Sequence, residues 1–139
     1  MRTFIASLVV LTMLMVSIGV YSKYLDRTMN DIEKCMGDVS DCVYKQKWSE
    51  GKSEIQQLSD IWKENEPILA MFNDHEDVDK IKLAIGELKE NVLQEDYEHT
   101  IKSLKETAIL LERIKKNETL SLENILKVSH FNANSHIVL

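Results

Sequence analysis

The chain opens with twenty residues that carry no charge, Thr3 to Ser22 (TFIASLVVLTMLMVSIGVYS), and from Leu25 onward places an apolar residue at every third or fourth position. The uncharged run covers about 30 Å as a helix, the hydrocarbon thickness of a bilayer. The three-four spacing marks helices that each bury one face. A first seam, Leu25, Met29, Ile32, Met36, Val39 and Val43, is heptad-like and continues the apolar run without a break. A second puts Trp48, Ile55, Trp62 and Leu69 on one line of sevens with Leu58 and Phe72 beside it, which turns both tryptophans inward. The third is Val78, Ile81, Ile85, Leu88 and Val92; the fourth is Tyr97, Ile101, Leu104, Ala108, Leu111 and Ile114. Strand-like alternation is scarce, and one proline and four glycines leave little to interrupt helices.

These seams predict an all-α fold in which an N-terminal transmembrane helix (1–23) continues into a small antiparallel up-down helical bundle (24–128) and a frayed tail (129–139). Its helices are expected over about 24–44, 47–72, 76–93, 97–116 and 121–127. The short connections make sequential helices antiparallel neighbours. The predicted core is Leu25, Ile32, Val39, Trp48, Ile55, Leu58, Trp62, Phe72, Ile81, Ile85, Leu88, Ile101, Leu104, Leu111 and Ile114. Pro67 removes the backbone bond to residue 63 and predicts a kink or a restart of the second helix. Asp74 is the expected N-cap of the third, with Glu76 and Asp77 in its first turn. Lys115, Lys116 and Asn117 are read as the close of the fourth, and Thr119 or Ser121 as the cap of a last short one.

Phe4 near one end of the apolar run and Tyr21 and Tyr24 near the other suit the headgroup level, with Lys23 as a polar stop, so the preferred reading is a retained anchor. A cleaved secretory signal with its processing site at Val20-Tyr21-Ser22, and hence a secreted body, is the competing one. Arg2 and the initiating amine are positive, whereas Lys23, Asp26 and Arg27 nearly cancel. The N-terminus is therefore expected in the cytoplasm and the body outside it, in a single-pass protein of the cell membrane. All 23 acidic residues and 16 of the 17 lysines and arginines follow Ser22, giving the body a charge of about −7. That charge argues against nucleic acid or an anionic lipid surface as partner.

Candidate chemistry is sparse. Asp74, His75, Glu76, Asp77 and Asp79 crowd potential metal ligands into six positions. Only His75 and Asp79 share a helix face, however, and the run lacks the glycine and closing glutamate of a calcium loop. Helix capping explains the cluster better, and His75, Glu76 and Asp79 stay as weak cation-site candidates. His99, His130 and His136 form no HExxH or ExxH pattern. With every seam apolar, neither a cofactor nor an enzymatic activity is expected. Cys35 and Cys42, seven apart on one helix, lie about 10.5 Å from each other. That exceeds disulfide reach, so they read as small half-buried hydrophobes, with a cross-link between copies as the alternative. Met13, Met15, Met29 and Met36 are accounted for by lipid and core packing. Asn117-Glu118-Thr119 is formally a glycosylation acceptor.

In their order and spacing several segments together resemble bacterial domain-of-unknown-function family 4363, short membrane-anchored helical proteins. They are the opening MRTFIASLVVL, Trp48 and Trp62, Met71-Phe72-Asn73-Asp74-His75-Glu76 leading to Ile81, Leu110-Leu111-Glu112-Arg113-Ile114, and Leu120-Ser121-Leu122-Glu123-Asn124-Ile125-Leu126. The resemblance implies a membrane-anchored helical protein and no particular reaction. Arg113 stands where the family pattern implies a histidine, and Pro67 interrupts a helix the pattern implies is continuous. The function expected from these readings is an accessory or interaction protein. Its acidic stretch from Asp74 to Glu98, nine acids against three lysines, would meet another membrane or envelope protein. The alternatives are a self-associating coiled-coil stalk, possible as a homodimer through Leu25 to Val43, and a cation or peptide sensor at the His75 turn.

Overall fold

The computed structural model describes the backbone of residues 2–134 and the side chains of residues 3–116. Four helices follow one another: α1 (Arg2–Tyr44), α2 (Trp48–Phe72), α3 (His75–Leu93) and α4 (Tyr97–Asn134). α1 packs on α2, α2 on α3 and α3 on α4, and α4 returns more sparsely to α1, giving the up-down order that short connections enforce. The apolar run and the first seam form one continuous helix of 43 residues. Its N-terminal half stands clear of the bundle: every residue from Thr3 to Val20 is exposed. The other half is a wall of the core.

That core is a single cluster. Leu25, Met29, Ile32, Val39 and Val43 of α1 meet Ile55, Leu58, Trp62 and Leu69 of α2, then Ile81, Ile85, Leu88 and Val92 of α3 and Leu104, Leu111 and Ile114 of α4. The first three seams therefore sit where their spacing places them. Three expected core residues do not follow. Trp48 and Ile101 are only half-buried, and Phe72 is 60% exposed. Phe72 lies one turn beyond Leu69, the last fully buried residue of α2, and α3 begins only at His75, so no helix covers that side of it.

α4 also presents a different face from the one its apolar residues predict. Thr100, Ser103 and Thr107 are buried, while Tyr97 is 44% exposed and Ala108 is exposed as well. Two of the three hydroxyl groups have internal partners. Thr107 Oγ1 donates to the Ser103 carbonyl at 2.8 Å, and Asn91 Nδ2 of α3 donates to Ser103 Oγ at 2.8 Å. With their polar atoms bonded, Ser103 and Thr107 can be buried at little cost. The seams are thus not wholly apolar, as the sequence reading has them.

Two boundaries differ from expectation. α2 runs through Pro67 without a restart: the ring is exposed, and Trp62 and Leu69 anchor the helix on either side of the single lost bond. α4 does not stop near residue 117, because residues 117–120 contain neither proline nor glycine, and Lys and Asn suit a helix end without enforcing one. Of the expected tail, residues 129–134 belong to α4 and 135–139 lie outside the described residues. The side chains of the expected last helix, and those of Asn117, His130 and His136, are likewise outside them.

Candidate interaction surfaces

The turn before α3 is held together by its own side chains. Asp74 Oδ1 accepts the backbone N–H of Glu76 at 2.9 Å, the N-cap bond expected of it. Glu76 pairs with Lys80 at 2.5 Å, and Asp77 faces Arg113 of α4 at 3.5 Å. Arg113 thus ties α4 to the first turn of α3. His75 and Asp79 are exposed, and among the described residues no three His, Cys, Asp or Glu side chains converge as a metal site. The cation-site candidates His75, Glu76 and Asp79 are not brought together.

Farther along α3 a different set emerges. Asp79, Leu83, Glu87 and Glu90 follow one another at intervals of four, four and three, which confines them to one stripe of a helix. The stripe faces away from the buried line Val78, Ile81, Ile85, Leu88 and Val92. All four residues are exposed, Leu83 to 73%. None of the three carboxylates is ion-paired with a described residue, whereas Glu66, Glu76, Asp77 and Glu95 are taken by Lys82, Lys80, Arg113 and Lys52. The hydrogen bond and charge of Glu66, with a smaller contribution from the charge of Asp79, raise the Lys82 pKa above the ordinary lysine value, so that lysine is a cation bonded to α2. The acidity of the 74–98 stretch was legible as a count. Which acids make no ion pair among the described residues became visible only once the helices were docked.

The interior offers less chemistry. Trp62 Nε1 and Thr100 Oγ1 are buried and make no hydrogen bond to described protein atoms. Cys35 is buried and Cys42 half-buried, both as free thiols. Burial pushes both thiols above the usual range, with Glu54 and Asp38 adding to the effect at Cys35 and Glu50 and Glu54 at Cys42. Cysteines in such surroundings are poor nucleophiles. Gly51 of α2 is buried at the contact with α1, where a Cβ would stand 3.5 Å from the Cys42 Cβ, an ordinary van der Waals contact. Where α4 meets α1 most loosely, a cleft of about 310 Å³ lies between Glu33, Met36, Ala108, Leu111 and Glu112. The Lys115–Glu33 pair at 2.8 Å links the same two helices.

At the opposite end from the α1–α2 turn, the last turn of α2 comes down on α1 just where the apolar run ends. The Phe72 ring packs on Tyr21 with centroids 4.1 Å apart and planes tilted by 32°. Asn73 Nδ2 donates to Tyr21 Oη at 2.9 Å, and Tyr24 donates its hydroxyl to Asn65 Oδ1. Under this corner an open groove of about 730 Å³ follows one face of the apolar run, from Leu8 to Tyr24, and is capped by Ile68 and Phe72. Tyr21 and Tyr24, expected only as membrane-level aromatics, are therefore also structural contacts, while Phe4 and Lys23 are exposed. A charge-free run invites the reading of an anchor alone. The signal for the second role was the tyrosine spacing of three, which puts both rings on the face that continues into Leu25 and Thr28.

A family model described as a domain of unknown function, DUF4363, matches residues 20–125. The match spans about three quarters of the chain, from the end of the apolar run to the second half of α4, and the chain belongs to this family. No curated protein and no solved structure matches it.

Proposed function

We propose that this DUF4363 member is a single-pass membrane adaptor, with its N-terminus in the cytoplasm and its body outside, whose α3 stripe docks a basic segment of another membrane or envelope protein. The observation that carries the reading is the set Asp79, Leu83, Glu87 and Glu90: three exposed carboxylates with no ion pair among the described residues, around an exposed leucine, on a helix whose opposite face is fully used by the core. Paired carboxylates have little left to offer a partner; unpaired ones steer and orient a basic surface, and the apolar side chain among them supplies burial on contact.

Anchoring is supported by the fully exposed apolar half of α1, which would be costly in water and is long enough to span a bilayer. Retention rather than cleavage is supported by Tyr21. Processing after Ser22 would remove a ring that Phe72 packs on and a hydroxyl that Asn73 donates to. Self-association through Leu25 to Val43 has the opposite balance, because those side chains are already buried against α2 and would have to leave it to meet a second copy.

The test is cross-linking of tagged full-length protein in native membranes, beside a variant carrying Asp79→Lys, Glu87→Lys and Glu90→Lys. The expected outcome is one stoichiometric partner with a basic contact segment, lost in the variant and weakened in the wild type by raised salt. A partner retained by the charge-reversed variant, or recovery of the chain alone, would overturn the reading.

A further inference from the structure

We infer that the corner between α2 and α3 is a second membrane contact, in which Ile68, Met71 and Phe72 rest at the boundary between headgroups and acyl chains and hydrocarbon fills the groove beneath them. The inference rests on the anchoring proposed above and adds the orientation of the body: its α2–α3 end lies on the bilayer. Three observations carry it. The corner is fixed in height by the Phe72–Tyr21 packing and the Asn73–Tyr21 hydrogen bond, at the very end of a run whose length matches the hydrocarbon layer. It is also apolar where it has no reason to be in water: Ile68, Met71 and Phe72 are 39%, 76% and 60% exposed within five residues. The third is what the groove offers an occupant. Thr12 Oγ1 and Ser17 Oγ each donate back to their own helix at 2.8 Å, and the Tyr24 hydroxyl donates to Asn65. The Thr12, Ser17 and Tyr24 donors are thus already engaged, the Tyr21 oxygen accepts from Asn73, and the largely apolar surface presented is one that suits an acyl chain.

The polar residues of the corner are compatible with that position. Asn73 Nδ2 reaches Tyr21 Oη and the Leu69 carbonyl, Asp74 caps α3, and Asp77 is paired with Arg113, while the exposed His75 and the Glu76–Lys80 pair keep their contact with water at the headgroup level. The corner's acidic character selects an uncharged, zwitterionic lipid surface over an anionic one.

The experiment uses the full chain in phosphatidylcholine vesicles, with Cys35→Ala and Cys42→Ala and a nitroxide placed in turn at Met71→Cys, Leu11→Cys in the apolar run and Leu83→Cys on the α3 stripe. Oxygen, which concentrates in hydrocarbon, should relax the label at 71 more than a water-soluble nickel chelate does. The ratio should reverse at 83. A water-like ratio at 71 with a lipid-like ratio at 11 would overturn the inference while leaving the anchor in place; a water-like ratio at both would remove the anchor as well. Because removing the cysteines could loosen the core, a photo-activated side chain at position 71 of the otherwise native chain is the second measurement. Lipid adducts are expected, and adducts only to protein, whether a second copy or another chain, would overturn it.

Discussion

At the end of the bundle away from the apolar run, α1 passes to α2 and α3 to α4 through two turns of the same geometry. In the first, Gln46 N–H bonds the Val43 carbonyl at 3.0 Å and Lys47 N–H the Cys42 carbonyl at 2.8 Å; in the second, Glu95 and Asp96 bond Val92 and Asn91, both at 3.1 Å. Each is the paired termination that needs a left-handed residue, here Gln46 (φ 55°) and Glu95 (φ 60°) where glycine is usual. Polar side chains flank both: the Lys52–Glu95 pair at 2.7 Å, Lys47–Glu50 at 3.1 Å, and Asp96 capping α4. The near end reverses α2 into α3 with no left-handed residue. Asn73 is extended (φ −115°), Asp74 supplies the cap, and Ile68, Met71 and Phe72 are left outward together with the polar Asp74, His75 and Glu76. One end is finished for water by polar groups and strained backbone. The other is relaxed in backbone and exposes three large apolar side chains beside its polar cap, the surface expected of an end that rests on a bilayer as proposed above.

The largest effect that separates an apolar core from an apolar surface comes from two neighbouring truncations. Leu25 is 1% exposed and belongs to the same end as Phe72, which is 60% exposed. Leu25→Ala should lower the unfolding free energy by about 2–5 kcal/mol, the cost of a buried leucine and its cavity. Phe72→Ala should cost about 1 kcal/mol or less, the scale of one aromatic pair. Chemical denaturation of both variants in the same detergent reads the difference. Equal losses would mean that Phe72 is part of the core and that the near end is closed after all.

The four helices were legible because three seams are continuous lines of apolar residues, and a line of that kind fixes both the helix and its inward face. α4 was legible as a helix but not in rotation. Tyr97, Ile101 and Ala108 look like the better stripe, yet Thr100, Ser103 and Thr107, equally well spaced, are the ones buried; the Ser103 and Thr107 hydroxyls find a donor and an acceptor that only the docked α3 and the helix's own turn supply. The same limit applies to the surfaces. Phe72 falls on the α2 stripe, and its exposure depends on where α3 begins. The acidic stretch was plain as a composition, but the stripe Asp79, Leu83, Glu87 and Glu90 depends on which carboxylates lysines of other helices occupy.

A smaller effect sharpens the contrast between caps. Asp74→Ala at the near end should cost about 1 kcal/mol by removing the bond to Glu76 N–H. At the far end Asp96 does the same for α4, accepting from the His99 backbone N–H at 3.1 Å with the His99 ring 2.8 Å away. The His99 backbone bond, then its side-chain bond, hold the Asp96 carboxyl below its ordinary pKa. A depressed folded pKa stabilises the fold above the unfolded value near 4, and that contribution is lost as pH falls through the lower, folded one. Wild type and Asp96→Ala should therefore converge in stability on acidification below pH 4, and a constant gap between their denaturation midpoints would show that the carboxylate is not what holds the turn.

The smallest effect tests the backbone strain directly. A non-glycine residue in the left-handed region carries a penalty of about 1 kcal/mol that glycine does not, partly offset by glycine's greater freedom when unfolded. Gln46→Gly should therefore stabilise the chain by a few tenths of a kcal/mol up to about 1 kcal/mol. Glu95→Gly should gain less, since it also gives up the pair with Lys52. Asn73→Gly has no left-handed strain to relieve at φ −115° and removes the bond to Tyr21, so it should destabilise. The ordering Gln46→Gly above Glu95→Gly above Asn73→Gly in thermal midpoint follows from the two turn designs alone. A stabilising Asn73→Gly would mean that the near-end turn shares the far-end geometry, and with it would go the argument that the two ends are built for different surroundings.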